Sequence, residues 1–366
     1  MIRTLLGVSL LVILGACAHD PRVDLAQKRF GLMPDGRPVD EFSLTIPGGV
    51  GVKLISLGGI VSSITMPDRE GKVDDIVLGF ASLPSYLAGH PYFGCITGRV
   101  ANRIAHGRCV VDGKELVLAR NNNGHHLHGG ERGFDKHLWN GVPYRDPRGA
   151  GVIFTRRSPD GEEGYPGNLD CEVRYLLTSE GDLEIHYEAV TDKTTLVNLT
   201  HHSYFALQGR GQGDVLDQRL MLRAARYTPG GTELVPNGAI ANVAGTPFDF
   251  ADYRRLGERI EAAGGYDLNY VLDNEGRGVA LAAVLIHDRS GRSLEVWTDQ
   301  PGLQLYTGNF LDGSLRDCGL PFEKHGGVCL EAQCFPDAPH HPHFPSILLR
   351  KGDVYRQTTI YKFRNR

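Results

Sequence analysis

Two distant segments of the sequence carry residues that could act together as an acid and a base. They are Asn198-Leu-Thr-His-His-Ser-Tyr-Phe205 and Gly327-Val-Cys-Leu-Glu-Ala-Gln333. In the first segment, His202 stands among imidazole, hydroxyl and aromatic side chains. In the second, Glu331 is a lone carboxylate in a run of apolar and small residues, where ionisation is costly unless a polar group approaches it. The pair predicts proton transfer on one small polar substrate.

A third polar cluster lies in Gly98-Arg-Val-Ala-Asn-Arg-Ile104. Asn102 and Arg103 are neighbours, so on a regular strand they face opposite ways, but at a strand end or bulge both can reach one ligand. An arginine fork beside an amide suits sugar hydroxyls or a carboxylate. From these residues alone, a surface arginine paired with a nearby acid remains the plainer alternative.

Histidines form two further groups, which raise the question of a metal site. The groups are His125, His126 and His128, and His340, His341 and His343. No H-x-x-x-H pair or accompanying set of cysteines is present, so we predict that no metal is bound. His125 and His126 are interpreted as solvent-facing loop residues. His128 is followed by Gly129-Gly130 and is predicted to point inward from a tight loop.

The elements that must position these residues are strands. Apolar and polar side chains alternate in 183–189 and in 355–361, which predicts half-buried strands. Residues 108–118 are predicted to form a hairpin, because Asp112-Gly113 supplies the positive φ angles of a tight turn. Helical periodicity is weak, and only 253–263 predicts one short helix.

These patterns predict an all-β fold, a large single-domain antiparallel β-sandwich. Glycine (47) and proline (20) are frequent and fall between the apolar runs. No composition shift or internal repeat marks a boundary, so residues 29–366 are assigned to one domain. The formal net charge of −4 is spread over mixed signs. Nucleic acid is therefore an unlikely partner, and a neutral small molecule fits better.

The first residues have the layout of an export signal. Arg3 supplies a positive charge, and the apolar run 5–14 is too short to span a bilayer. Small residues in Leu14-Gly15-Ala16-Cys17 then end the run. We predict a lipoprotein-type signal peptide over residues 1–16.

Cys17 resembles the cysteine that bacterial lipoproteins carry lipidated after cleavage. Lipidation predicts an anchored tether over residues 17–28 and a periplasmic protein that touches a membrane only through its lipid. Ala18, rather than aspartate, favours the outer membrane by the same analogy. An ordinary signal peptide with a coincidental cysteine is the alternative.

The remaining cysteines are expected to be mostly free, buried thiols. Their spacing is irregular, no C-x-x-C pair exists, and a domain of this size does not need disulfides. They are Cys95, Cys109, Cys171, Cys318, Cys329 and Cys334.

Several motifs in a fixed order resemble the aldose 1-epimerase, or galactose mutarotase, family over nearly the whole length after residue 17. They include Gly98-Arg-Val-Ala-Asn-Arg-Ile104, Leu127-His-Gly-Gly130, Asn198 to Phe205, Gly265-Tyr-Asp-Leu-Asn269, Pro301-Gly-Leu-Gln-Leu-Tyr306 and Cys329-Leu-Glu-Ala-Gln333. The resemblance implies the family's large antiparallel supersandwich, which agrees with the strand pattern. It also implies interconversion of the α and β anomers of free hexoses such as D-glucose and D-galactose, without a cofactor or metal.

The resemblance also implies roles by position. His202 matches the proton donor and Glu331 the proton acceptor. The residues that match substrate-binding positions are Asn102, Arg103, His128, Tyr204, Asp267 and Gln304.

Two other functions stay open on the sequence. Glu331 with Asp267 could be the paired carboxylates of a glycosidase. A lectin-like periplasmic sugar binder could use the same sandwich with the acid–base pair idle. The expected partner in each case is a sugar, and the sequence leaves monomer and homodimer equally possible.

Overall fold

The computed structural model describes residues 22–366, which fold almost entirely into antiparallel strands. The all-β prediction is confirmed. The predicted signal peptide 1–16, Cys17 and residues 18–21 lie outside the described part of the chain. Within residues 22–366, the helices are all too short to reach across a bilayer.

The described chain begins with a five-stranded meander. Its first strand starts at Asp24 and pairs with the second strand from Asp24 to Leu32. Residues 24–28 therefore belong to this sheet, although they were predicted to lie in the tether. The strands follow one another across the sheet as β1 (Asp24–Leu32), β2 (Pro38–Thr45), β3 (Gly51–Ile55), β4 (Ile60–Pro67) and β5 (Val73–Asp75).

Short elements follow, and they carry several of the candidate site residues in loops between them. The predicted hairpin over 108–118 is confirmed as two paired strands, Arg108–Val111 and Lys114–Val117. Asp112 and Gly113 in its turn have φ angles of 49° and 75°. The elements are α1 (Leu83–Leu87), β6 (Ile96–Thr97), β7 (Arg103–Ile104), β8 (Arg108–Val111), β9 (Lys114–Val117) and β10 (His126–Leu127), with 3₁₀ turns at Ala105–Gly107 and Phe134–Lys136.

Four long strands then form one half of the largest sheet, and three short strands lead to the histidine segment. The alternation predicted over 183–189 is confirmed within the strand Asp182–Thr191. The strands are β11 (Asn140–Asp146), β12 (Gly149–Ser158), β13 (Leu169–Thr178), β14 (Asp182–Thr191), β15 (Thr195–Leu196), β16 (Thr200–His201) and β17 (Tyr204–Phe205), with a 3₁₀ turn at Glu162–Gly164.

The remaining strands complete the sandwich. The helix predicted over 253–263 is confirmed only at its end, because residues 254–255 pair in a sheet and left-handed Gly264 ends a helix of four residues. The elements are β18 (Arg219–Leu222), β19 (Arg226–Thr228), β20 (Ala241–Asn242), β21 (Arg254–Arg255), a 3₁₀ turn (Leu256–Glu258), α2 (Ile260–Ala263), β22 (Asp267–Val271), β23 (Ala280–Ile286), β24 (Arg292–Thr298), β25 (Gly302–Tyr306), β26 (Arg316–Asp317), β27 (Leu320–Pro321), β28 (Val328–Gln333), a 3₁₀ turn (Ala338–His340), β29 (Leu348–Leu349) and β30 (Val354–Asn365).

Two large antiparallel sheets define the architecture. The nine-stranded sheet has the order β11-β12-β13-β14-β30-β24-β23-β18-β21, and the six-stranded sheet has the order β17-β28-β25-β22-β19-β20. One hydrophobic cluster joins both to the meander, through residues such as Phe42, Phe154, Leu303, Leu330 and Tyr361. Burial of this apolar surface is the main force that holds the sheets together.

The described cysteines behave as predicted. All six are free, and all except Cys318 are buried. Burial keeps these thiols protonated, and the pKa of Cys334 rises to about 12 for that reason.

Candidate active site

The six-stranded sheet lines up three of the predicted residues on one face. Gln304 on β25 lies directly opposite Glu331 on β28, and Asn269, two residues beyond Asp267 on β22, lies opposite Gln304. Because cross-strand partners share a face and alternate residues return to it, Asp267, Gln304 and Glu331 point to the same side. The opposite side carries residues such as Leu303 and belongs to the core.

The alternation in β28 explains how a carboxylate comes to be buried without joining the core. Val328, Leu330 and Ala332 pack into the hydrophobic cluster, whereas Glu331 faces away from it. Since the side-chain period of a strand is two, a slip of one residue would exchange these faces. The apolar run around Glu331 is thus the reason that its position is fixed.

His202 reaches Glu331 from the loop between β16 and β17. Its Nε2 lies 3.7 Å from Glu331 Oε1, and both side chains are buried. The backbone holds the segment in place, because His202 N donates to Cys95 O and Gly94 N donates to His202 O. Thr200 Oγ1 also donates to Ala332 O on the glutamate strand. The predicted acid and base therefore share one site.

His128 enters the same site, as predicted. Its backbone is left-handed (φ 49°), and its Nδ1 accepts a 3.1 Å hydrogen bond from Asn102 N. Burial, with the charges of His202 and Arg103, holds the pKa of His128 well below its usual range. The ring is therefore neutral with its proton on Nε2, which makes that nitrogen a donor. Gly129 is required beside it, because a Cβ there would lie 1.8 Å from Gly98 O.

Asn102 and Arg103 both reach the pocket, so the surface alternative for this arginine is wrong. Asn102 has a φ of 61°, and its Oδ1 accepts a hydrogen bond from Arg103 N. Both side chains are buried, and Arg103 Nε donates to Asn122 Oδ1 at 3.3 Å. The left-handed residue is the irregularity that lets two neighbours serve one ligand.

These residues surround a cavity of about 260 Å³. Gln304 Nε2 donates to Asp267 Oδ1 at 2.6 Å, which fixes both groups. Gln304 Oε1 and Glu331 Oε2 are buried and have no hydrogen-bond partner among the described residues. A buried polar atom without a partner costs roughly 1–3 kcal/mol. Hydroxyl groups of a ligand would satisfy both acceptors.

Tyr204 lies where the resemblance predicts, but its hydroxyl is already engaged. Tyr204 OH donates to Pro91 O at 2.9 Å, and its ring stacks on His202 at 5.1 Å between centroids. The residue therefore offers the pocket an aromatic edge rather than a free hydroxyl.

Burial shifts the pKa values of Glu331 and His202 in opposite directions. Burial raises the pKa of Glu331 well above its usual range, and the charge of Asp267 raises it further, while Arg103 opposes both effects. Burial lowers the pKa of His202 to about 4. Both shifts disfavour the ionised form because the two side chains are buried.

His128, His202 and Glu331 also lie close enough to be compared with a metal site, since their ligand atoms are within 4.8 Å of one another. His128 argues against this use. Its Nδ1 already accepts a backbone N–H, so Nε2 carries the proton and has no free lone pair for a cation.

The other histidines lie elsewhere, and the solvent-facing interpretation of His125 and His126 is wrong. His125 Nδ1 accepts from His106 N, and His126 bonds to Ala119 O and Tyr165 OH. The acceptors and donors that make their burial possible come from other loops. His340, His341 and His343 bond to Asp337, Pro236 O and Gly238 O.

Sequence reasoning missed several residues that line the pocket: Pro91, Tyr92, Asn122, Tyr306 and Phe310. The alternation in β25 could have indicated Tyr306, since it is two residues from Gln304. The segment Pro91-Tyr92-Phe93-Gly94 gave no comparable signal, because loops carry no periodicity.

A family model described as aldose 1-epimerase matches residues 40–362 of the chain. Galactose mutarotase of Rattus norvegicus is 46% identical over 345 residues, which cover 93% of this chain and 99% of that protein. Aldose 1-epimerase of Escherichia coli (strain K12) is 36% identical over 340 residues, or 91% of this chain and 97% of that protein.

A solved structure, galactose 1-epimerase from Lactobacillus acidophilus NCFM, superposes with a TM-score of 0.82 at 29% sequence identity. The match covers 94% of this chain and 99% of that chain. The galactose mutarotase-like sandwich predicted from the sequence is therefore confirmed as the fold.

Proposed function

The chain belongs to the aldose 1-epimerase family, and we propose that it interconverts the α and β anomers of free aldohexoses such as D-glucose and D-galactose. The protein is an isomerase of the mutarotase class. The observation that carries the proposal is the 3.7 Å separation of His202 Nε2 and Glu331 Oε1 in a buried pocket. A hemiacetal carries both of its oxygens on one carbon, so an acid and a base that lie this close together can reach both oxygens of one sugar.

Glu331 and His202 divide the two proton transfers of ring opening. Glu331 takes the proton of the C1 hydroxyl, and the electron pair of that O–H bond forms the carbonyl at C1. The C1–O5 bond breaks with its pair moving to O5, which receives a proton from His202. Rotation about C1–C2 presents the other face, and the same steps run in reverse. Each transfer contributes roughly 10²–10⁴ in rate.

The remaining polar residues hold the sugar and limit the charge. His128 Nε2–H is a second donor for the ring oxygen, and Gln304 Oε1 accepts from a sugar hydroxyl. The amide of Asn102 and the guanidinium of Arg103 bind further hydroxyls. Arg103 also lowers the pKa of Glu331, which favours the carboxylate that the first step requires.

The burial of Glu331 and His202 contributes to the chemical step itself. Ring opening converts carboxylate and imidazolium into carboxylic acid and neutral imidazole. The same burial that shifts the two pKa values therefore stabilises the pair in the state that accompanies the open-chain aldehyde. Both directions of shift therefore favour the open-chain intermediate over the cyclic sugar.

The hypothesis that the protein is a glycosidase is less well supported. A glycosidase flanks the scissile bond with two carboxylates, but Asp267 is held by a hydrogen bond from Gln304. The group that stands next to Glu331 is His202. A lectin-like binder would not need this pair.

Freshly dissolved α-D-glucose and α-D-galactose are expected to approach anomeric equilibrium faster with this protein, as followed by polarimetry.

A bell-shaped dependence of kcat/KM on pH is expected, because Glu331 and His202 together must carry one proton before the sugar binds. The acid limb should lie near pH 4, where His202 gains a proton and no base remains. The basic limb should follow the raised pKa of Glu331. Heat-inactivated protein is the control, and unchanged rates with both sugars would refute the function.

We further propose that the protein is exported and held on the periplasmic face of the outer membrane by lipid at Cys17. The support is the charge, apolar run and small residues of 1–17. Cys17→Ser is expected to move the protein from the membrane fraction to the soluble fraction on cell fractionation. Cys318→Ser, a change at an exposed thiol of the folded domain, is the matched control. A Cys17→Ser protein that stays with the membrane would contradict the anchor.

A further inference from the structure

Tyr92 packs against both active-site histidines from the loop between α1 and β6. Its ring centroid lies 5.8 Å from that of His202, with 22° between the planes, and 4.5 Å from that of His128. The backbone of Tyr92 is left-handed, with a φ of 62°. A bulky residue seldom adopts this conformation, and such outliers concentrate at functional sites. The backbone conformation and the contacts of Tyr92 therefore indicate a role in the site.

Tyr204 also stacks on His202. Its centroid lies 5.1 Å from that of the imidazole, with 19° between the planes. Tyr204 OH donates to Pro91 O at 2.9 Å, so the second tyrosine is bonded to the residue directly before the first. The His202 ring is thus nearly parallel to each of two tyrosine rings, and a hydrogen bond joins the second tyrosine to the backbone beside the first.

No hydrogen bond sets the orientation of the His202 ring in the described part of the chain. Its Nδ1 is buried and has no partner there, whereas a working histidine is usually oriented by a bond to its second nitrogen. The last side-chain torsion of histidine is soft, so the ring can rotate unless something holds it. The rings of Tyr92 and Tyr204, together with the edge-on ring of His128, pack against the imidazole and can do so.

Tyr92 is itself held by a cation–π contact. Lys136 Nζ lies 5.5 Å from the centroid of the Tyr92 ring, within the range of a cation–π contact. Lys136 in turn bonds to Asp135 Oδ2 at 2.9 Å, and Asp135 is buried. The ammonium group is thereby held over the tyrosine, and the tyrosine over the histidine.

We propose that Tyr92 is a positioning residue, which clamps the imidazole of His202 against Tyr204 so that Nε2 stays aimed at the sugar ring oxygen. The inference rests on the proposed role of His202 as the proton donor. The flat face of the ring performs this task, and the phenol hydroxyl is not needed for it. The clamp also keeps water away from one face of the imidazole.

The test compares Tyr92→Met with Tyr92→Phe by polarimetry. Methionine fills much of the same volume without a flat face, whereas phenylalanine keeps the face and loses the hydroxyl. Tyr92→Met is expected to lower kcat roughly 10- to 100-fold with little change in KM, because a small misplacement of a catalytic group is costly. Tyr92→Phe is expected to keep the wild-type rate.

The pH profile separates positioning from general damage. If the His202 ring is loosened, water reaches it and its pKa rises. The acid limb of the kcat/KM profile of Tyr92→Met should therefore lie at a higher pH than the wild-type limb, which is expected near pH 4. The matched control is Tyr253→Met, which removes another cation–π ring, 5.4 Å from the Arg219 guanidinium. Tyr253→Met should change neither kcat nor the pH at which the acid limb lies.

Three results would overturn the clamp while leaving the epimerase function intact. They are a Tyr92→Met protein with the wild-type rate and acid limb, a Tyr92→Phe protein as slow as Tyr92→Met, and an equal loss in Tyr253→Met. An inactive wild-type protein would instead refute the function on which the inference rests.

Discussion

Glu331→Gln is expected to lower catalysed mutarotation of α-D-galactose by roughly 10²- to 10⁴-fold. Glutamine has the same shape and keeps an acceptor beside Gln304, but its amide cannot take the proton of the C1 hydroxyl. Binding contacts remain, so the loss should fall on kcat, with KM little changed. Initial polarimetric rates over a range of sugar concentrations separate the two constants.

The same variant should fold at least as well as the wild-type protein. Glu331 Oε2 is buried and has no hydrogen-bond partner among the described residues. Replacing the carboxylate therefore breaks no hydrogen bond of that oxygen. Thermal unfolding would therefore show an equal or higher midpoint. Glu261→Gln, a change on the exposed side of α2, is the matched control and should keep full activity. A Glu331→Gln protein that retains the wild-type kcat would contradict the assignment of the base.

The expected position of Glu331 could be reached from the sequence because it depends on local alternation. Val328, Leu330 and Ala332 select one face of a strand, so the carboxylate between them must take the other. The segment also matched a family motif. Both signals concern side chains within a few residues of one another.

The partners of Glu331 depended on registers that no local pattern encodes. Gln304 lies opposite Glu331 only because β25 pairs with β28 in one particular register. The approach of His202 depends on the loop backbone bonded to Gly94 and Cys95. The resemblance supplied these residues by position, and the geometry came from tertiary pairing.

The errors have the same origin. His125 and His126 lie in a polar, glycine-containing loop, which by composition favours exposure. Their hydrogen-bond partners His106 N, Ala119 O and Tyr165 OH make burial tolerable, and those groups meet only in the folded chain. The pKa shifts of His202 and Glu331 have a related origin, since desolvation is a property of the assembled pocket.

His202→Asn is the second change with a large expected effect, a loss in kcat of roughly 10²- to 10⁴-fold. Asparagine is polar and can donate a hydrogen bond, but it cannot release a proton to O5. The shorter side chain also loses the stacking contacts with Tyr92 and Tyr204. The thermal unfolding midpoint of His202→Asn is therefore expected to fall, unlike that of Glu331→Gln. Polarimetry and a melting curve together distinguish the two variants.

Combining the changes tests whether His202 and Glu331 act as one unit. Ring opening needs both proton transfers, so a protein that has lost either group has little further to lose. The double variant Glu331→Gln/His202→Asn is therefore expected to be about as slow as the slower single variant, far from the product of the two losses. Multiplicative losses would mean that each residue contributes independently, for example through binding, and that the proton does not pass through a coupled pair.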